Sequence, residues 1–234
     1  MSIPFFFAAE INSNEHFITL DEDNSRHAVS VLRMKEGEPL YLTDGKGALV
    51  TASISDAHKK KCRLAITGIE QTPQPAPFTA IGISLLKNPV RFEWFLEKAT
   101  EIGITTIYPL LCQRTEKQHV RTSRLQHVLV SALLQSRQTW MPVLHAPITT
   151  EQLLTTVSYK QQFIAHCMDG EKQPLASLVD PLQDRLLLIG PEGDFTPAEL
   201  DAAVQHKYLP VALGATRLRT ETAGVAGAVL LKSL

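Results

Sequence analysis

The sequence predicts an α/β protein with a smaller β-rich domain ahead of it, and three features lead there. Apolar residues recur with period two before residue 72, strands alternate with helices after it, and Thr72 to Pro77 (TPQPAP) has a proline at every second position. Alternating prolines stiffen the backbone and withhold amide donors from helix or sheet, so TPQPAP reads as a linker. The expected domains are 1–72 and 73–234, in a chain of 234 residues that is long enough to bury a sizeable core.

In the first domain, LYLTDGKGALVTASI places Leu40, Leu42, Val50, Ala52 and Ile54 on alternate positions around Asp44-Gly45-Lys46-Gly47. That pattern is a hairpin whose glycines accept positive φ. KKKCRLAITGIE reads as a further strand, and NSRHAVSVLRM, with Ala28, Val31 and Leu32 near helical spacing, as a short helix. A small β-barrel with one helix is the expectation.

Beyond the linker the order is strand FTAIGISLL, a helix over Arg91–Ile102, strand TTIYPLL, and a helix from about Ser123 to Gln138. Strands FIAHC and RLLLIG follow, then a helix from Pro197, the short strand LPVAL and a last helix over Glu221–Leu231. Such alternation builds a largely parallel sheet, which binds ligands in the crevice beyond the carboxyl ends of its strands.

Composition narrows the function classes. With 44% hydrophobic and 20% charged residues the chain is ordinary globular material. It has no apolar run of membrane-spanning length, and the opening MSIPFFFAAE has no basic leader, so a soluble, cytoplasmic protein is expected. Cys62, Cys112 and Cys167 are widely spaced and read as buried thiols; the histidines form no metal-ligand pattern, and His166-Cys167 in FIAHC reads as strand, so no metal is expected. Net charge is −1, yet Lys87 to Arg137 carries eight basic residues against four acidic ones. A local basic surface suits a polyanion such as nucleic acid, although a solvated face explains part of it.

Two loops carry the chemistry. LLLIGPEGDFTPAEL leaves an apolar strand, passes Gly190 and Gly193, and enters a helix through T-P-A-E, a capping box with proline at the first helical position. VALGATRLRTETAG repeats the plan: strand, Gly214, then a helix start at Thr220 or Glu221 with Arg217 and Arg219 beside it. Neither is a P-loop or a Rossmann fingerprint. Tight β-to-α turns alone explain such glycines; two bare loops at neighbouring strand ends also offer main-chain polar groups to a neutral group such as adenine, which makes adenosine without phosphate the attractive ligand.

Together with RFEWFLEKATEIGITTIYPLL after the linker, the pair IGPEGDF and LGATRLRTETA resembles the RsmE family over essentially the whole chain. The resemblance implies an α/β SPOUT trefoil-knot methyltransferase domain preceded by a small PUA-like barrel that binds RNA. It further implies a homodimer that takes a methyl group from S-adenosylmethionine and places it on N3 of a uridine in 16S ribosomal RNA of the small subunit.

Carried over by position, the donor pocket is Ile189, Gly190, Pro191, Glu192 and Gly193 with Leu213, Gly214, Leu218, Arg219 and Thr220, and more weakly Leu110 and Leu111. The matching basic positions for RNA are Arg26, His27 and Arg33, and Lys87, Arg91 and Lys98. Arg219, then Arg114, suits stabilisation of the uridine anion because arginine keeps its charge. Glu192 and Glu221 are the candidate carboxylates. For Arg219 the alternative is a salt bridge to Glu221 or to an acid of a partner subunit; for Lys98, a pair with Glu101.

Departures exist. Asp194 stands where many members have a third loop glycine, and Leu134, Gln135, Gln138 and Pro142 fall on an E-Q-x-x-R pattern, losing both charged members, with Arg137 as a substitute cation. A SPOUT enzyme for another RNA nucleotide and a non-catalytic RNA-binding assembly factor therefore stay open. Glu93, Glu97 and Glu101 repeat every four residues and require nearby cations, expected from the basic helix or the barrel. Ala223, Gly224 and Gly227 permit close backbone approach, within the core or at a subunit interface.

Overall fold

A computed structural model describes residues 3–12 and 15–232; Met1, Ser2, Ser13, Asn14, Ser233 and Leu234, the first two within the opening segment, lie outside the described residues. The chain forms two units, one running up to Gln74 and including Leu133–Met141, the other made of Pro75–Ala132 and Pro142 onward.

In the first unit, β1 (Phe5–Phe7), β2 (Phe17–Thr19), β3 (Pro39–Thr43), β4 (Ala48–Asp56) and β5 (Arg63–Gln71) form one sheet in the order β1-β3-β4-β5-β2. The expected hairpin is β3–β4, with Leu40 opposite Ala52 and Leu42 opposite Val50, all fully or almost fully buried. Helix α1 (Glu22–Arg26) runs into a π-helical turn over His27–Val31. It is tied to the sheet by Ser25, whose Oγ donates to the Leu20 carbonyl (3.0 Å) and accepts from the Cys62 amide (2.9 Å). Leu133–Met141 joins this unit because the glycine turn needs partners: Gly47 N–H donates to the Thr139 carbonyl and Met141 N–H to the Gly45 carbonyl, both at 2.9 Å or less.

The second unit contains β6 (Thr79–Ser84), α2 (Pro89–Ile102), β7 (Thr106–Leu111), α3 (Thr122–Gln135), whose last turn belongs to the first unit, β8 (Val143–Leu144), β9 (Ile148–Thr149) and α4 (Thr150–Thr156). It continues with β10 (Gln161–Ala165), β11 (Gln173–Pro174), β12 (Arg185–Ile189), α5 (Pro197–Gln205), β13 (Leu209–Ala212) and α6 (Thr220–Lys232). The sheet order is β11-β13-β10-β12-β6-β7-β8, β9 pairs with β7, and every pairing is parallel. Strands β6 and β12 are buried along their whole length, as central strands covered on both faces must be.

The helices obey their sequence signals. Asn88 caps α2 ahead of Pro89, and Gly103 ends it in the left-handed region. Thr196 and Glu199 form the reciprocal capping box of α5. A second capping box, Thr149 with Gln152, starts α4, an element that its short, weakly periodic sequence did not announce.

The small residues of α6 serve the core. A Cβ on Gly224 would lie 2.6 Å from the Phe95 ring of α2, and one on Gly227 would run into the Leu187 side chain of β12. Core packing thus accounts for both glycines.

Candidate active site

Strand order decides where the two glycine loops meet. Strands β12 and β13 are not the neighbours that the sequence suggested; β10 lies between them. Three adjacent parallel strands therefore release their carboxyl ends at Ala165, Ile189 and Ala212 side by side. Beyond them lies a cavity of about 660 Å³.

Its walls come from all three exits. The first loop contributes Ile189, Gly190, Pro191, Glu192 and Asp194; the second contributes Ala212, Leu213, Gly214, Thr216, Arg217, Leu218, Arg219 and Thr220, followed by Ala223. The exit of β10 adds Ala165, His166, Cys167 and Lys172, and α2 adds Arg91. His166 and Cys167 sit past the strand end rather than within it, which is why a strand reading of FIAHC hid them.

The first loop is held from several sides. Asp194 N–H donates to the Pro191 carbonyl (2.9 Å), and Gly190 leaves little room for a side chain, since a Cβ there would meet the Phe195 ring and amide at 3.0–3.2 Å. Arg114 Nη1 donates to the carbonyls of Gly193 (2.6 Å) and Phe195 (3.4 Å). Buried Glu199 accepts from Gln113 N–H (2.9 Å) and Thr150 Oγ1 (3.1 Å) with one carboxylate oxygen, and from the amide and hydroxyl of Thr196 with the other. That carboxylate locks the exit of β7 to the start of α5 and so places Arg114. Glu192 Oε1 accepts from the Lys87 amide (3.3 Å).

The second loop is more open. No atom lies within 4 Å of a Cβ built on Gly214, while Arg217 and Arg219 are exposed at the cavity. Glu221, only 7% exposed, faces Arg91 instead of Arg219: its Oε1 stands 3.6 Å from Arg91 Nε, and its Oε2 has no hydrogen-bond partner among the described residues. Burial, with Lys172 nearby, lowers the pKa of His166 and favours the neutral imidazole.

Other expected residues stand elsewhere. Leu110 is fully buried in the sheet core, Leu111 pairs with Thr149 of β9, and neither borders the cavity; nor does Gly193, which packs against Arg114. Lys87 pairs with Glu116 (2.8 Å), and Lys98 pairs with both Glu97 (2.7 Å) and Glu101 (2.9 Å). The cation for Glu93 is Arg124 of α3 (3.0 Å), from the basic helix, whereas Glu97 and Glu101 share a lysine of their own helix. In the first unit, Arg26 pairs with Asp23, His27 meets the Phe6 ring edge-on, Arg33 is exposed with φ 56°, and Arg137 Nη2 donates to the Ile3 carbonyl (3.1 Å). Among the described residues no group of three or more His, Cys, Asp or Glu is placed to hold a metal ion. Among them, too, no helix is long and apolar enough to cross a membrane.

A family model described as an RNA methyltransferase domain matches residues 73–232, and one described as an RNA methyltransferase PUA domain matches residues 20–67. The ribosomal RNA small subunit methyltransferase E of Synechocystis sp. is 30% identical over 215 residues, covering 89% of this chain and 70% of that protein. The chain belongs to the ribosomal RNA small subunit methyltransferase E family. Solved structures agree with this family assignment. A probable rRNA-methyltransferase from Porphyromonas gingivalis is 32% identical with a TM-score of 0.92 over 99% of each chain. A ribosomal RNA small subunit methyltransferase E from Neisseria gonorrhoeae, bound to S-adenosyl methionine, is 26% identical with a TM-score of 0.86, covering 99% of this chain and 98% of that one. The α/β fold with a PUA-like amino-terminal domain is therefore the fold of this family.

Proposed function

We propose that this chain uses S-adenosylmethionine to methylate N3 of a specific uridine in 16S ribosomal RNA of the small subunit, acting in the cytoplasm as a homodimer. The supporting observation is the cavity in which the IGPEGD and LGATRLRT loops of an RNA methyltransferase family meet across the exit of β10. Its size falls within the range of about 300–1,000 Å³ that suits small-molecule and cofactor sites. The open face of Gly214 and the main chain around Gly190 and Leu213 fit a nucleoside held through backbone polar groups. When bound, the donor supplies a methyl carbon on a sulfonium, open to in-line attack.

The chain's residues then have separate tasks. Main-chain groups of the two loops hold the donor and fix the direction of attack. Arg219, exposed at the cavity, offers a permanent positive charge to the uracil oxygens as N3 gives up its proton to solvent. Arg91, backed by buried Glu221, presents a second guanidinium at the cavity edge, suited to a backbone phosphate of the RNA. Glu221 thereby acts through Arg91. Arg114 acts through the loop it clamps. His27 and Arg33 supply further backbone contacts, while Arg26, Lys87 and Lys98 must first release their acidic partners.

The test is methyl transfer to small ribosomal subunits lacking the mark, followed by mapping of the modified nucleotide. The wild-type chain is expected to modify one uridine at N3, and Arg219→Ala to lose about 100-fold or more of the rate, as removal of one donor to a developing anion does. A mark on another nucleotide overturns the substrate assignment. Survival of Arg219→Ala within a few-fold overturns the role of that arginine.

A further inference from the structure

Asp194 is conformationally out of place. Its φ is 64°, in the left-handed region that favours glycine and that Asp and Asn enter more readily than other residues. The side chain uses that conformation. Its Oδ1 accepts from the Phe195 amide (2.8 Å), while Oδ2 crosses to the exit of β10 and accepts from the Cys167 amide (2.7 Å). A glycine at position 194 would satisfy the backbone and make neither bond.

That second bond joins two walls of one cavity. Asp194 lies on the first glycine loop; Cys167 and its neighbour His166 lie on the β10 exit, and all three border the cavity. The β10 exit is also braced within itself by Lys172 Nζ, which donates to the carbonyls of His166 (3.2 Å) and Met168 (2.5 Å). Ring atom Nδ1 of His166 is buried and has no partner of hydrogen-bonding geometry among the described residues, although the Met168 backbone acts to raise the ring's pKa against the effect of burial. A buried polar atom at a cavity wall is left for a ligand only if the wall is held still.

Taking the cavity as the donor site, as proposed above, we infer that Asp194 is a positioning residue: its carboxylate ties the first glycine loop to the β10 exit and sets the donor pocket in its binding shape before the donor arrives. The tie is a charge-assisted hydrogen bond at 2.7 Å. Its loss leaves the fold intact and makes donor binding bear the cost of ordering the β10 exit.

Asp194→Gly is the discriminating variant, because it removes the carboxylate while keeping a residue at ease with positive φ. Titration calorimetry with S-adenosylmethionine is expected to show donor affinity weaker by about tenfold in this variant. The circular-dichroism spectrum and thermal midpoint are expected to stay close to wild type. Hydrogen exchange at the Cys167 amide is expected to quicken in the donor-free variant. Asp194→Asn keeps an acceptor oxygen and is expected to fall between the two. Donor affinity within twofold of wild type in Asp194→Gly overturns the inference. Loss of affinity matched by a collapse of the thermal midpoint also overturns it, since the residue is then structural. Failure of the wild-type chain itself to bind the donor overturns instead the reading of the cavity as the donor site.

Discussion

Single residues here take their meaning from burial and from the nearest charge. Cys112 is 6% exposed, and burial pushes its thiol up to about 11 from 9.0, against hydrogen bonds from Thr150, Thr115 and Ser84. Cys62 is also buried and its thiol raised, whereas Cys167 is exposed at the cavity. At pH 8 iodoacetamide is therefore expected to label Cys167 alone in the native chain and all three cysteines after denaturation, with bound donor slowing the native reaction; mass spectrometry of the adducts checks both. The raised pKa has a stability consequence. Because the folded state holds the Cys112 proton more tightly, its contribution is complete below pH 9.0 and lost as pH rises through about 11. Glu221 gives a parallel lesson: the sequence offered Arg219 as its partner, and the fold supplied Arg91 from a helix over a hundred positions earlier in the numbering.

At the scale of elements, spacing within a helix was legible and contact between helices was not. The acidic row of α2 announced a need for cations, which the structure meets with Arg124 of α3 for Glu93 and with Lys98 for Glu97 and Glu101. The small residues of α6 fitted two kinds of surface until Phe95 and Leu187 were seen against them. Gly224→Ala tests that packing. Alanine gains about 1 kcal/mol of helix propensity, but its Cβ would sit 2.6–2.8 Å from Phe95 and Ile83 atoms. Overpacking typically costs about 1–3 kcal/mol, so the net expectation is a lower denaturation midpoint in urea. A midpoint equal to or above wild type shows that α2 and α6 yield easily at this point.

For the whole molecule, the decisive fact is that one cavity collects three strand exits that lie far apart in the chain. A ligand bound to that folded arrangement and not to the unfolded chain stabilises the protein by mass action. S-adenosylmethionine at 100 times its Kd is expected to add about 2.7 kcal/mol, read as a rise in the thermal unfolding midpoint that grows with donor concentration. Adenosine, without the methionine part, is expected to give a smaller rise at equal concentration. No shift with either compound excludes the cavity as a donor site.

By itself the sequence determined most strands and helices, the capping of α5, the two glycine loops at strand ends and the family to which they belong. Each of those is written in local spacing or in a short motif. Only the tertiary structure decided that β10 separates β12 from β13, that His166 and Cys167 form a wall between the glycine loops, and that Asp194 reaches across to hold it. The β8, β9 and β11 strands, two residues each, also became visible only through their partners. The physical reason is the same throughout. Periodicity records which face of an element is buried, whereas strand order and side-chain partners are fixed by the packing of elements distant in the chain, and residues next to one another in a site need share no spacing in sequence.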